Sequence, residues 1–463
     1  MKHDNIFKKT YKYMAPSVLI AMVATILGFT ALFVSPVPMI ADFGKTLTIG
    51  LAVSFLAALL ILTTNLYIRD KYFCDHAQSS TCALPRESHW LERTLSAMTQ
   101  KVLSQKYLIL CLCMAITVWG FASDAKVGIQ TDIERFMPQD TPELVEIREL
   151  RDLIGSTDQL TIMVEGPDVL STDYLLWLEG VRTGVESEFP GIVLSAVSVT
   201  SLYRQTQKDP TLSEENMSGF LTSLPATQRR LFVDGAQQTT IITLNIARLD
   251  NEPLRNFIVG LKLFLDSNQP QGSQLTVTGK AVIDAEMMTS LTGGRREMTL
   301  LGTIFVFFGL LLIYRNVLKA VVPVFPICLI IGWSGGAMYL LGIDYTPLTA
   351  TMGALIIGIG TEFTILLMER YFEERQKGVS KEEAMIATVG KIGKPILASA
   401  LTTIGGFSAL IFSDFLILKE FGIVTLLNIT LCLVSSLIVL PPLIVMLDRK
   451  QPSTVQVLAQ SKA

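Results

Sequence analysis

Long apolar stretches alternate with polar ones along the chain, and this pattern predicts helices that cross a membrane. Several of the apolar stretches reach the roughly 18 to 20 residues that a helix needs to span a bilayer core. Eight spans are predicted, at residues 15–34, 43–66, 107–123, 298–314, 318–341, 347–369, 394–412 and 420–446. A long polar segment, residues 124–297, separates the third span from the fourth.

The polar segment has the pattern of a mixed α/β domain. Alternating β-branched runs predict strands, and apolar positions at helical spacing predict helices. The predicted strands are Gln159–Val164, Ile192–Val199, Thr239–Ile246 and Gln274–Thr278, and the predicted helices are 143–153, 171–188 and 252–266. Strands and helices that alternate in this way predict split βαβ units and a ferredoxin-like domain. The polar stretch 200–232 is hard to assign.

Positive charge is distributed unevenly over the loops between the spans. One set of loops holds most of the Lys and Arg outside the polar segment, whereas the loops 35–42, 342–346 and 413–419 hold almost none. Cytoplasmic loops carry the excess of positive charge in membrane proteins. We therefore expect a multi-pass protein of the cell (plasma) membrane with both termini in the cytoplasm and residues 124–297 outside.

Composition agrees with a membrane protein and offers little catalytic chemistry. Hydrophobic residues make up 50% of the chain and charged residues 17%, where a soluble protein has about 25% charged residues. Cys74, His76 and Cys82 lie close together, but their spacing matches no standard zinc pattern, so we expect reduced thiols and no metal. We find no nucleophile with a base and no phosphate-binding glycine loop. The sequence predicts neither an enzyme nor a cofactor, and nothing in the net charge of −3 points to nucleic acid.

The sequence near the start of the chain is repeated near its end. Gly28-Phe29 matches Gly406-Phe407, and Phe43-Gly44 matches Phe421-Gly422, at one fixed offset (406 − 28 = 422 − 44 = 378). Both copies have the same predicted orientation, as in transporters built from parallel repeats. Residues 1–70 are therefore interpreted as the last two spans of a truncated first repeat, and roughly 300 further residues are expected before Met1.

The remaining boundaries follow from the spans and the repeat. We expect a cytoplasmic linker at 71–106, one span at 107–123, the outer domain at 124–297, a five-helix bundle at 298–446 and a cytoplasmic tail at 447–463.

Glu362 lies inside the otherwise apolar span 347–369. An ionised carboxylate near mid-membrane costs at least about 2.5–3.5 kcal/mol, and acids in such positions are usually functional. We predict that Glu362 binds and releases protons. The alternative is a permanently protonated group that only holds two helices together.

Neighbouring residues complete this candidate site. Gly358 and Gly360 are expected to let another helix approach closely. Glu369 and Arg370 are expected to anchor the cytoplasmic end of the helix. The predicted proton relay consists of Glu362 with the hydroxyl residues Thr361, Ser399, Thr402 and Thr403, of which the last three lie at helical spacing on the next span.

The run from Gly358 to Tyr371 resembles the G-x-D-Y-x-x-x-x-x-x-R pattern of the RND superfamily. It is most similar to the MMPL and hydrophobe/amphiphile exporter branch, whose helices overlap the sterol-sensing domain. Glu362 stands where that family has Asp, Arg370 follows eight residues later, and Phe363 replaces the family's Tyr. Residues 344–350 resemble the family's loop into the same helix.

The resemblance implies two six-helix halves, each with a large porter domain, and export of lipids, hydrophobic or amphiphilic compounds by proton-motive force. It implies a relay built from both halves. The chain then needs a separately encoded N-terminal half or an oligomeric partner. Other interpretations stay open: a Patched-like sterol- or lipid-sensing receptor, a protein-export motor like SecD/SecF, or an inactive truncated remnant.

Overall fold

The computed structural model describes residues 2–68, 89–130, 133–154, 158–207, 211–234, 238–270 and 272–448. Cys74, His76 and Cys82 lie outside these residues. The helices are α1 (Lys2–Thr30), α2 (Pro38–Ala57), α3 (Thr63–Ile68), α4 (His89–Ser104), α5 (Lys106–Asp124), α6 (Ile133–Phe136), α7 (Pro142–Ile154), α8 (Thr172–Glu188), α9 (Val199–Thr206), α10 (Glu214–Ser223), α11 (Ala226–Phe232), α12 (Asn251–Ser267), α13 (Lys280–Tyr314), α14 (Val317–Leu341), α15 (Met352–Arg375), α16 (Lys381–Ser408), α17 (Leu416–Val434) and α18 (Leu440–Leu447). The strands are β1 (Asp158–Glu165), β2 (Val193–Ser198), β3 (Thr239–Ile246) and β4 (Gln274–Thr278).

The chain separates into two compact units. One is formed by residues 131–289, and the other by residues 1–130 together with 290–463. The second unit holds the apolar helices and is called the bundle below. Its domain end holds residues 125–130 and 342–348, and the opposite end holds Arg315 and residues 376–380.

The bundle confirms the eight predicted membrane spans. Eight helices are long and apolar enough to cross a bilayer, at Pro16–Val34, Pro38–Ile61, Lys106–Asp124, Lys280–Tyr314, Val317–Leu341, Thr349–Arg375, Lys381–Phe412 and Leu416–Leu447. Three of the helices, α1, α13 and α16, begin well before the predicted spans. Helix α16 starts at Lys381 because the Ser380 hydroxyl accepts a hydrogen bond from the backbone N–H of Glu383, and the polar turns that follow are invisible to a hydropathy pattern.

The repeated segments have the same local backbone. A 3₁₀ turn at Ala31–Val34 follows α1, and another at Ala409–Phe412 follows α16. The hydroxyl of the next residue then accepts a hydrogen bond from the N–H two residues on, at 3.2 Å from Ser35 and also at 3.2 Å from Ser413. Both turns lie at the offset of 378 residues seen in the sequence.

Residues 131–289 form an α/β unit around a four-stranded antiparallel sheet. The strand order is β2-β3-β1-β4, which is the ferredoxin-like arrangement that the sequence predicted. Inward-facing Leu160, Ile162 and Val164 of β1 are fully buried and share one core with α8 and α12. The unassigned stretch 200–232 lies mainly in three short helices, α9 to α11.

Glu179 on α8 is the nearly buried acid of this unit. Arg182 Nη2 lies 2.8 Å from its Oε1, and the Thr200 hydroxyl donates to its Oε2 at 2.8 Å. Burial alone raises the pKa of this carboxyl, but the hydrogen bonds from Arg182 and Thr200 and the charges of Arg182 and Arg204 outweigh burial and lower it. Glu179 therefore fastens α8 to the start of α9.

Candidate functional site

Helix α15 is the most enclosed of the apolar helices. In its span, Thr349–Arg375, 78% of the most apolar window is buried, against 11% in Lys381–Phe412 and 6% in Pro38–Ile61. A polar side chain on α15 therefore faces mainly other helices rather than lipid, which is the usual setting of functional polar groups in membranes.

Glu362 is the acidic residue of the central turns of α15. Its side chain is half-buried, and within the described part of the chain it forms no hydrogen bond or ion pair. An ionised carboxylate without a counter-charge is costly in apolar surroundings, and proton binding removes that cost. The proton-binding role of Glu362 agrees with this environment and stays a prediction.

The two glycines beside Glu362 lie against different helices. A Cβ built on Gly358 would come within 2.9 Å of Thr25 Cγ2 on α1, and the Thr25 hydroxyl donates to the Gly358 carbonyl at 3.0 Å. A Cβ on Gly360 would lie 3.3 Å from Ile327 on α14 and 3.5 Å from Cys432 on α17. Close approach of these three helices holds the turn before Glu362 in place.

The hydroxyl residues of the predicted relay do not bond to Glu362 in this structure. Thr361 is fully buried and donates to the Gly358 carbonyl at 2.8 Å. Thr402 and Thr403 donate to carbonyls of their own helix, and Ser399 and Thr402 are exposed on the surface of α16. Helical spacing correctly put the α16 hydroxyls on one face, but that face is turned to the outside of the bundle.

A cluster of ion pairs surrounds the end of α15 opposite to the domain end. Arg370 Nη1 lies 2.7 Å from Glu373, and its Nη2 lies 2.8 Å from Glu374. Glu374 is 4% exposed and also pairs with Lys377 and Lys391 at 2.8 and 3.0 Å. Glu369, the other predicted anchor, lies beside the Tyr314 hydroxyl of α13.

A second cluster at this end was not predicted from the sequence. Asp448, just after α18, accepts hydrogen bonds from the Tyr371 hydroxyl and from Arg375 Nε, both at 2.8 Å. The Asp448–Arg375 pair is almost buried, with 7% and 8% of the two side chains exposed. These bonds fasten the end of α15 to the end of the last span. The signal for this cluster in the sequence was the charged residue Asp448, which directly follows the last apolar span.

The domain end has its own cluster, formed by Asp124 of α5, Arg295 of α13 and Tyr345. Arg295 Nη2 lies 2.8 Å from Asp124 Oδ2, the Arg295 guanidinium lies 4.0 Å from the centre of the Tyr345 ring, and the Tyr345 hydroxyl donates to Asp124 at 2.5 Å. Burial raises the pKa of Tyr345. The Tyr345 backbone also pairs with Gly128 and Gln130, each at 2.8 Å. The loop ahead of α15 is thereby joined to the end of α5, to the residues that follow α5, and to α13.

Sequence reasoning also missed Asn428 on α17. This residue is 4% exposed, and neither its Nδ2 nor its Oδ1 has a hydrogen-bond partner among the described residues. It lines a narrow cavity between α15 and α17. An amide in the middle of the apolar stretch 416–447 was the visible signal, but its lack of a partner appears only in the folded structure.

Comparisons with known proteins identify the family. The model of the MMPL family matches residues 201–460. "Putative membrane protein MJ1562" of Methanocaldococcus jannaschii is 29% identical over 74% of this chain and 91% of its own length. "Sulfolipid-1 exporter MmpL8" of Mycobacterium tuberculosis is 26% identical over 40% of this chain. The chain aligns with only 17% of MmpL8, and with 31% of "Putative membrane protein ActII-3" of Streptomyces coelicolor.

Solved structures share the fold. The hedgehog release protein Disp of the water bear Hypsibius dujardini superposes with a TM-score of 0.70 at 13% identity, over 95% of this chain and 59% of Disp. SecDF of Thermus thermophilus superposes with a TM-score of 0.51 at 14% identity, over 96% of this chain and 50% of SecDF. Because the family model covers more than half of its residues, the chain belongs to the MMPL family, a transporter family of the RND superfamily.

Proposed function

We propose that the protein is part of an exporter driven by proton-motive force, in which Glu362 carries the proton. The supporting observation is a half-buried carboxyl group without a partner in the described part of the chain, on the most enclosed helix of the bundle. Ionising Glu362 in these surroundings costs free energy, whereas protonating it does not. The ionised and the protonated state therefore favour different packing around α15.

We also propose that the cargo is a lipid or another hydrophobic or amphiphilic compound. A relative in the same family bears the name sulfolipid-1 exporter. The protein is proposed to lie in the plasma membrane with residues 124–297 outside and both termini in the cytoplasm. The basic residues of the end opposite to the domain end support this orientation, since Arg315 and Lys377 lie there and Lys381 directly follows.

A second half of the transporter is proposed to pack on α16. At the repeat offset of 378, the covered face of α1 corresponds to the open face of α16. The matching positions are Ala21 and Ser399, Ala24 and Thr402, Thr25 and Thr403, and Gly28 and Gly406. On α1 this face is covered by α15: Ala21 and Ala24 are 2% and 0% exposed.

The α16 face lacks such a cover in the described structure. No described atom outside the helix lies within 4 Å of a Cβ built on Gly406, whereas a Cβ on Gly28 would lie 3.1 Å from Ile357 of α15. The occupant of the α16 face is therefore proposed to be a helix of the α15 type, with small residues at the contact and an acid one turn further on. Ser399, Thr402 and Thr403 would then line the second proton site rather than that of Glu362.

Neutralising the acid tests the proton cycle. We expect Glu362→Gln to abolish export of a lipophilic dye such as Nile red, driven by an imposed pH gradient in vesicles of cells that express the complete transporter. Glu373→Gln, on the same helix but at its end, is the matched control and should keep export. The amount of protein in the membrane should be equal for both. Gradient-driven export by Glu362→Gln at the normal rate would refute the proposal.

A carbodiimide gives a readout that does not depend on the cargo. Dicyclohexylcarbodiimide reacts with protonated carboxyl groups in apolar surroundings, so we expect it to label Glu362 in the wild-type chain. Mass spectrometry of the peptide that contains Glu362 measures the label. A Glu362 peptide that stays unmodified at every pH would contradict a proton-binding role.

Crosslinking from the open face tests the second half. A photoreactive amino acid at Thr402 should capture a polypeptide that contains an α15-like helix in native membranes, and one at Thr430, on the exposed side of α17, should not. Capture of lipid alone from Thr402, or of a polypeptide through a helix that does not resemble α15, would contradict the proposed occupant.

A further inference from the structure

Helix α1 lies in a groove between α13 and α15. Glycines line the α13 side of this groove. A Cβ built on Gly302 would lie 3.3 Å from Ala31 Cβ, and a Cβ on Gly309 would overlap the Leu27 side chain. On the other side, α15 covers α1 around Gly28. Small residues let membrane helices approach each other this closely, so the groove is filled by a helix of the same chain.

The internal repeat shows which other helix has the position of α1. Helix α16 is the repeat equivalent of α1, so in a two-fold arrangement of halves its open face would enter a groove of the α13–α15 type. In a second copy of this chain, however, that groove already holds the copy's own α1. The α16 helix of one copy could enter the groove of another copy only by displacing α1 from it.

The side chains of α1 and α16 that would face this groove also differ in size. At the repeat offset of 378 residues, Leu27 corresponds to Gly405. Leu27 fills the space over Gly309, and a glycine in its place would leave that space empty. Ala24 corresponds to the larger Thr402, and Ala24 is completely buried. Empty space and overpacking both destabilise a packed contact, so the groove of this chain fits α1 better than α16.

The open face of α16 needs an occupant with the opposite distribution of large and small residues. No described atom outside the helix lies within 4 Å of a Cβ built on Gly405, and Ala398 and Ala409 on the same face are exposed. A large apolar side chain at the position of Gly309 would fill the space over Gly405. The expected occupant therefore has helices like α13 and α15, but with a large residue where this chain has Gly309.

We propose that the α16 face binds a second half that is not a copy of this chain, and that α1 prevents self-association by occupying the α13–α15 groove. The second half offers a groove of this type that is vacant, and a large side chain of its α13-like helix lies over Gly405. The difference in size between Leu27 and Gly405 decides which helix enters which groove. This inference rests on the second half under the proposed function and names the kind of partner.

Two differently tagged copies of the full chain, expressed together in native membranes, test the exclusion of a second copy. A photoreactive amino acid replaces Leu401, which is 57% exposed at the edge of the α16 face, so that the small residues of the face stay unchanged. We expect crosslinks to another polypeptide and none between the two tags. A crosslink between the tags would overturn the proposal. Capture of lipid alone would instead refute the second half itself.

Exchanging the large and the small residue tests the role of α1. Gly309→Leu should push α1 out of the groove and present a large side chain to Gly405 of a second copy. The crosslink between the tags should then rise roughly ten-fold over the wild type, which corresponds to about 1.4 kcal/mol. Adding Leu27→Gly to the same chain removes the overlap with α1 and should return the crosslink to the wild-type level, because contacting residues compensate each other.

Gly293→Leu is the matched control on α13, since a Cβ on Gly293 meets no described atom within 4 Å, and it should leave the crosslink unchanged. If Gly309→Leu gives no more crosslink than Gly293→Leu, or if Leu27→Gly does not reverse its effect, the blocking role of α1 is refuted. The second half still stands as long as Leu401 captures another polypeptide. Leu27→Gly alone loosens α1 without added bulk and should raise the crosslink by a smaller factor, which serves as the test if Gly309→Leu does not fold.

Discussion

The helix pairs α1–α2 and α16–α17 have similar sequences and the same local backbone, but they differ in which face is covered. In both pairs a glycine lets the second helix approach the first. A Cβ on Gly44 would lie 2.6 Å from Leu32 Cβ, and one on Gly422 would lie 2.9 Å from Leu410 Cβ, at equivalent positions. The rings of Phe43 and Phe421, which are repeat equivalents, also contact each other at 5.9 Å. Equivalent residues meet in this way where a two-fold axis passes between repeats.

The covered faces are complementary. Helix α15 covers the small-residue face of α1 and the face of α17 that carries Thr425, Asn428 and Cys432, while in the described part of the chain the matching faces of α16 and α2 are open. Gly50 and Ser54 of α2 are exposed where Asn428 and Cys432 of α17 are buried. The repeat thus sets the local structure of each pair, and contact with α15 decides which face is enclosed. A second helix of the α15 type would cover both open faces at once.

The largest expected effect comes from filling the contact between α1 and α15. Gly28→Leu should destabilise the bundle by about 1–3 kcal/mol, because the added side chain overpacks against Ile357 and Gly358. Gly406→Leu, its repeat equivalent, should leave the stability of the isolated chain unchanged. Thermal unfolding of the purified chain in detergent measures both. Equal loss of stability in the two variants would show that the two faces do not differ.

A smaller difference is expected from the matching threonines. Thr25→Val removes the hydrogen bond to the Gly358 carbonyl and should cost about 0.6 kcal/mol, the average for such bonds between membrane helices. Thr403→Val removes only a bond within its own helix and should have no measurable effect on the same melting temperature. A larger loss at Thr403 than at Thr25 would reverse the assignment of covered and open faces.

The smallest effect is expected at the 3₁₀ turns, where the helix pairs α1–α2 and α16–α17 are alike. Ser35→Ala and Ser413→Ala each remove one hydrogen bond to the backbone and should each cost about 0.5 kcal/mol. Hydrogen exchange of the N–H groups of Val37 and Phe415 measures this local loss. Protection that falls at one turn but not at the other would show that the turns are not equivalent.

The sequence predicted the positions of helices and strands better than it predicted which residues contact each other. The strand Thr239–Ile246 was predicted to the residue, because alternating β-branched residues have a local cause. Glu362 was found because a charge stands out in an apolar span. Ser399 and Thr402 were predicted to face Glu362 since they have the right spacing, but spacing on one helix does not reveal which neighbour the face meets. Asn428 was missed because one amide barely changes the hydropathy of its span.

The contacts of Tyr345 limit how α15 can move. Its backbone holds Gly128 and Gln130, and its side chain holds Asp124 and Arg295, on the helices by which the chain leaves the bundle and returns to it. An axial displacement of α15 must therefore either break these bonds or move the end of α5 and the turn of α13 that holds Arg295 together with α15.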